Sequence, residues 1–141
     1  MKHWNKRYME MASLVASWSR DPSTKCGAVI VRPNNTIVSV GFNGFPRDVE
    51  DSDDRLNHRE TKYKYVVHAE LNAILNAREP LTGYSIYVQP FEPCSQCAAA
   101  IIQSGINTVY YPSGQTPENW EESVKITRQM FSEANIKFVN I

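Results

Sequence analysis

Between Trp4 and Ser19 the apolar residues Trp4, Tyr8, Met11, Ala12, Val15 and Trp18 recur at helical intervals, which predicts one amphipathic helix. Asp21-Pro22 is expected to end it. The period then changes. Residues 26–31 and 36–40 are short β-branched runs separated by Pro33-Asn34-Asn35, the pattern of two antiparallel strands joined by a tight turn. Gly41-Phe42-Asn43-Gly44-Phe45-Pro46 follows, and over 47–64 periodicity vanishes in a stretch dense in Asp, Arg, Asn and Glu. That stretch reads as a long surface loop. Ordered loops of such length tend to carry function, so it is expected to border a site or a subunit contact.

Beyond it, 69–77 is apolar nearly all round, which predicts a helix buried between other elements. Residues 85–88 form a strand. Pro93-Cys94 opens a third helix that runs to Ser104, with Gly105 at its C-terminal cap. Residues 108–111 give another strand. Thr116-Pro117 caps a fourth helix striped by Trp120, Val124, Thr127, Phe131 and Ala134; Asn135 stops it, and 136–139 give a last strand. The order α, β, β, α, β, α, β, α, β begins with a hairpin and then alternates. It implies an α/β fold in three layers, a five-stranded mixed sheet with helices on both faces.

A chain of 141 residues is about one domain's worth, and 1–141 is read as a single domain. No apolar run is long enough to span a membrane, and the polar start Met-Lys-His-Trp-Asn lacks the core of a secretory signal, so a cytoplasmic location is expected. Three cysteines cannot all pair, which favours metal or free-thiol roles in a reducing compartment. Cys26, inside an apolar run, is expected to be a buried free thiol. Fifteen basic residues balance fifteen acidic ones, so nothing in the global charge favours a polynucleotide partner.

Two strings carry chemistry: His68-Ala69-Glu70 and Pro93-Cys94-Ser95-Gln96-Cys97. Cys94 and Cys97 offer two thiolates one helical turn apart, and His68 offers an imidazole. Three protein ligands leave the fourth tetrahedral position for water, the arithmetic of one catalytic Zn2+. Each string starts a predicted helix, so the unpaired N–H groups of two helix N-termini converge there and favour thiolates. Glu70 is placed to move protons on and off the water. The reaction this suits is hydrolytic deamination of an aromatic amidine, with Glu70 passing a proton to the ring nitrogen and then to the departing amine. A histidine followed two residues on by glutamate, and later by Pro-Cys-x-x-Cys, is the recorded signature of the zinc deaminases. A thioredoxin-like dithiol would explain the cysteines but not His68 or Glu70.

At these residues the chain resembles the cytidine deaminase superfamily, and within it the deoxycytidylate (dCMP) deaminases. Four segments carry the narrower resemblance: Ser19-Arg20-Asp21-Pro22, Gly41 through Pro46, Thr61 through Ile74, and Glu92-Pro93-Cys94 through Gly105. It implies a cytidine-deaminase-like fold and conversion of dCMP to dUMP, which feeds thymidylate synthesis. It also implies allosteric control, with dCTP and Mg2+ activating and dTTP inhibiting, in a homohexamer. By similarity Gly41, Phe42, Asn43 and Gly44 would lie between the active and regulatory sites, with Asn43 and Ala69 facing substrate. Some phage members carry a second, structural zinc on extra Cys and His residues; this chain has only His58 in that region, so one zinc is expected.

Arg20, Lys25, Arg47, Lys62 and Lys64 could each meet a 5′-phosphate. Arg20 and Lys25 are favoured because the loop that holds them should open near the zinc edge. Glu92 is a candidate acceptor for the sugar 3′-hydroxyl. Among the loop aromatics Phe42, Phe45, Tyr63, Tyr65 and Phe91, most are expected to pack rather than stack on a base. The competing readings are a tRNA, polynucleotide or free-nucleoside deaminase of the same superfamily, and a nucleotide-binding module with structural zinc. Neutral charge speaks against a polynucleotide, and Glu70 against a module without catalysis.

Overall fold

A computed structural model describes residues 2–114 and 116–141 of the chain. The apolar run near residue 30 is continuous rather than alternating because β1 (Gly27–Val31) is covered on both faces. Ala28 and Ile30 face one helical layer; Val29 and Val31 face the other. β1 pairs antiparallel with β2 (Ile37–Phe42) on one side and with β3 (Ser85–Gln89) on the other. β3, β4 (Thr108–Tyr111) and β5 (Lys137–Asn140) are parallel, so the sheet is mixed and runs β2-β1-β3-β4-β5.

α1 (Lys2–Ala16) covers one face, where Tyr8 and Ala12 pack on Val29, Val31 and Tyr87. α4 (Ala69–Asn76), α5 (Ser95–Ser104) and α6 (Glu121–Glu133) build the other layer. Their Ala69, Ala73, Ala98, Ile101 and Phe131 enclose Ile30, Ile86, Val88 and Val109. Each of the larger of these side chains stabilises the fold by roughly 1.5–3 kcal/mol on burial. The five-stranded three-layer architecture expected from the alternating pattern is the one observed.

Two glycines let helices sit close on the sheet from opposite sides. A Cβ at Gly27 would collide with the backbone of α1 at Ala12 and Ala16, and one at Gly41 with the backbone of α4 at Ala69 and Ala73. Gly41 is therefore a packing position that sets the height of α4, the helix that begins just after His68.

Several local expectations are corrected. The stretch 47–64 is not structureless: it holds α2 (Asp53–Asn57) and α3 (Arg59–Tyr65). Their cause is capping rather than periodicity, since the Ser52 side chain accepts from the Arg55 amide and the His58 ring from the Thr61 amide. α1 stops at Ala16, which leaves Trp18 outside the apolar stripe and about half exposed. α4 is buried on one side only, because Leu75 is 60% exposed while Ala69, Glu70 and Ala73 face inward. The fourth helix begins later than its Thr116-Pro117 signal, after a 3-10 turn over Glu118–Trp120. Among the described residues no helix is long and apolar enough to cross a membrane.

Candidate active site

His68 is the N-cap of α4 and Cys94 the N-cap of α5, both with extended backbone; the Cys94 sulfur accepts from the Cys97 amide of its own helix, whereas the His68 ring makes no cap bond to α4. Because α4 and α5 lie side by side in one layer, the two starts meet. His68 Nδ1 lies 3.4 Å from Cys94 Sγ and 3.5 Å from Cys97 Sγ, and the three atoms fall within 4.8 Å of one another. A tetrahedral zinc with bonds of about 2.3 Å to sulfur and 2.0–2.1 Å to nitrogen requires nitrogen–sulfur edges of about 3.6 Å. The donor set and its spacing fit that ion. Cys26 is not part of the cluster; it is half-buried in the wall of the same cavity, where burial pushes its thiol up.

The local electrostatics favour an anionic sulfur. Hydrogen bonds from the Cys97 thiol and from His68 hold the Cys94 thiol well below its ordinary range. The Cys97 amide also points at Cys94 Sγ, 3.5 Å away, as one of the unpaired donors at the start of α5. Glu70, in the first turn of α4, is 8% exposed. Burial pushes its carboxyl up to about 7, while its own backbone amide pulls the other way. A carboxyl in such a place can both take and return a proton near neutral pH.

His68, Glu70 and Cys94 open onto a cavity of about 510 Å³, large enough for a nucleotide-sized ligand. Of the residues expected to bind substrate, Asn43, Ala69 and Glu92 line it; Arg20 and Lys25 do not. Arg20 is held elsewhere, by the Asp51 carboxylate at 2.8 Å and backbone oxygen at 3.1 Å, and by Asp53 at 3.3 Å. The cations on the wall are Arg59 and Lys62, both from α3. Lys62 is 6% exposed, and its ammonium reaches Asp21 Oδ1 at 3.1 Å. That oxygen also accepts from the Ser23 and Thr24 amides, at 2.8 and 3.1 Å. Arg59 lies over the Tyr63 ring and donates to its hydroxyl.

Asn43 is a knot as well as a wall residue. Its Oδ1 accepts from the Cys26 amide at 2.8 Å, its Nδ2 donates to the Thr24 carbonyl at 2.9 Å, and its own carbonyl accepts from the Ser19 hydroxyl. Phe42 points away from it, edge-on to Trp18, and Gly44 forms a backbone bridge with Val67, directly before His68. Glu92 is buried, and both its oxygens accept from Arg128 of α6.

Residues that the sequence alone did not bring to the site are Asp21, Arg59, Arg128 and Trp120. The sequence pattern puts Trp120 in the buried stripe of the fourth helix; it instead stands on the cavity wall, near-perpendicular to the rings of His68 and Phe91. No local signal announces the later start, because Pro117 itself reads as a helix beginning and the residues after it first form a 3-10 turn.

The model for the "cytidine and deoxycytidylate deaminase zinc-binding region" matches residues 2–113. A protein from Aliivibrio fischeri described as an uncharacterized deaminase in the luxG 3′ region is 51% identical over 95% of this chain and 90% of its own length. The deoxycytidylate deaminase of Mus musculus is 41% identical over 96% of this chain and 78% of its own. The fold matches the dCMP deaminase of cyanophage S-TIM5, solved in complex with dCMP and dUMP, with a TM-score of 0.80 at 22% identity over 100% of this chain and 98% of that one. The family match spans most of the chain and the relatives are similar over nearly its whole length, so the chain, with its cluster of His68, Cys94 and Cys97 able to hold a metal ion, belongs to the cytidine and deoxycytidylate deaminase family.

Proposed function

We propose that this protein is a single-domain enzyme that hydrolyses dCMP to dUMP and ammonia. The observation that carries the reading is the convergence of His68, Cys94 and Cys97, at the wall of a nucleotide-sized cavity that buried Glu70 also lines. Support for the substrate comes from relatives named deoxycytidylate deaminase at 41% identity.

His68, Cys94 and Cys97 would hold a zinc ion, which supplies water acidified to near-neutral pKa. Glu70 would take one proton from the attacking water as its oxygen bonds to the amino-bearing carbon, and would deliver that proton to the adjacent ring nitrogen. It would then carry the remaining hydroxyl proton of the tetrahedral adduct to the amine, so that the carbon–nitrogen bond breaks, the carbonyl forms and ammonia leaves. Burial keeps bulk water from competing for that carboxyl.

The 5′-phosphate is assigned to Lys62 and Arg59 in place of Arg20 and Lys25. Lys62 has three donors and shares a single carboxylate oxygen with two backbone amides, which leaves N–H groups for an anion at the wall. Asn43 and Glu92 are assigned to the sugar, since each retains acceptor capacity after its internal hydrogen bonds. Regulation by dCTP with Mg2+ and by dTTP, in a homohexamer, is the finer part of this reading, as is a cytoplasmic setting. Its support is the family resemblance of Gly41–Gly44 and the exposed aromatic pair Trp18 and Phe42, which could meet a neighbouring subunit or an effector.

The test is to supply zinc-loaded protein with dCMP and with deoxycytidine and to follow loss of the cytosine absorbance. Turnover of dCMP at least about tenfold more efficient than of the nucleoside is expected, the minimum for one charge-assisted contact. Turnover of the nucleoside alone would overturn the phosphate assignment.

A further inference from the structure

We propose that one face of α6 and the turn before it position the loop that delivers Cys94, and so set the affinity of the metal site; this rests on reading His68, Cys94 and Cys97 as zinc ligands. The loop is gripped residue by residue. The Phe91 ring meets Trp120 at a centroid distance of 5.9 Å. Both Glu92 oxygens accept from Arg128 Nη2, at 2.9 and 2.8 Å. The Pro93 carbonyl accepts from the Thr127 hydroxyl at 2.8 Å, and the Ser95 amide donates to the Ser123 hydroxyl at 2.8 Å. Cys94 is left to turn its sulfur toward His68 and Cys97.

The partners at 120, 123, 127 and 128 recur at intervals that place them on one side of a helix. α6 can act as a fixed reference because Val124 and Phe131 anchor it in the core. Thr127 and Pro93 are fully buried, so their hydrogen bond has no competition from water. Ser95 N–H is one of the donors that every helix start leaves unpaired, and Ser123 fixes where that start lies. Trp120 also lies 6.0 Å from the His68 ring, so the same device touches both ligand-bearing segments. Groups that orient the ligands lower the ordering cost of binding a metal, and losing one typically costs about 10–100-fold in affinity.

The decisive variant is Thr127→Val, which keeps the shape and removes the hydroxyl; Thr127→Ser restores the hydroxyl, and Ser123→Ala removes the second tie at a half-buried position. The full-length apo chain is titrated with zinc against a chelator, and with cobalt(II), whose sulfur-to-metal absorption bands report the coordination geometry. Zinc affinity is expected to fall about 10–100-fold in Thr127→Val with shifted cobalt bands, and to return in Thr127→Ser. A smaller loss in the same direction is expected for Ser123→Ala, without loss of folding. If both Thr127→Val and Ser123→Ala bind zinc as tightly as the wild type, with unshifted bands, the proposal is wrong whatever their thermal stability. If Thr127→Val does not fold, Ser123→Ala decides alone. Failure of the wild type to bind zinc would remove the underlying reading, whereas tight zinc binding without dCMP turnover would remove only the proposed substrate.

Discussion

The two walls of the cavity are built by opposite means. The metal wall rests on α4 and α5, helices of 8 and 10 residues seated on the sheet through Ala69, Ala73, Ala98 and Ile101, and it is backed by α6. The facing wall is α2 and α3, helices of 5 and 7 residues whose one buried apolar side chain is Leu56. Packing cannot hold helices that short, since an isolated turn or two is unstable in water. Caps at Ser52 and His58 start them, and ion pairs tie them to the body: Lys62 to Asp21 in the interior, and Arg20 to Asp51 and Asp53 at the surface. In the proposed reading the first wall would supply fixed geometry around an ion, and the second would take an anion whose charge joins an existing network.

The strongest test of the metal wall is Glu70→Gln. It preserves size and burial and removes only the capacity to carry a proton, so kcat on dCMP should fall by about 10²–10⁴. Zinc content and KM should stay near their wild-type values, because Glu70 is not a member of the ligand trio. Measured loss of zinc in parallel with activity would mean that the two parts of this wall are not separable.

The charge-built wall should fail differently. Lys62→Met leaves Asp21 buried with no cation beside it, and breaking a buried pair from one side costs about 3–5 kcal/mol. Urea denaturation should show that loss, and the double variant with Asp21→Asn should recover most of it. The KM for dCMP should rise in both variants while that for deoxycytidine stays level. A stable Lys62→Met protein with unchanged KM for dCMP would place both the wall's support and its anion site elsewhere.

The same contrast explains what was legible in the chain. His68, Glu70, Cys94 and Cys97 could be found because each sits within a turn of a helix start, where local spacing already fixes direction. The five strands and the three-layer order were legible for a similar reason, since period-2 and period-3.6 runs state which faces are buried. Lys62 was only one of several candidate cations, because its burial depends on Asp21, 41 residues away, and α3 has no apolar period to announce it. Arg128 was invisible as a site residue because its partner Glu92 lies 36 residues back. Trp120 reads as core because an aromatic four residues ahead of Val124 and seven ahead of Thr127 matches a core stripe, and only the late start of α6 removes it.

The smallest predicted effect is also the cleanest measure of how the two walls differ. Arg20→Ala breaks the surface strap to Asp51 and Asp53, in which Arg20 is 57% and Asp53 89% exposed. Pairs of that exposure contribute about 0.2–1 kcal/mol and are screened by salt. Urea denaturation at low ionic strength should therefore show a loss in that range, and at 1 M salt, where the screening length is about 3 Å, the variant and the wild type should converge. Zinc affinity should not change at either salt concentration, because no part of the strap touches His68, Cys94 or Cys97. A salt-independent loss of several kcal/mol would instead mean that α2 and α3 are packed as firmly as α4 and α5, and that the cavity has one kind of wall rather than two.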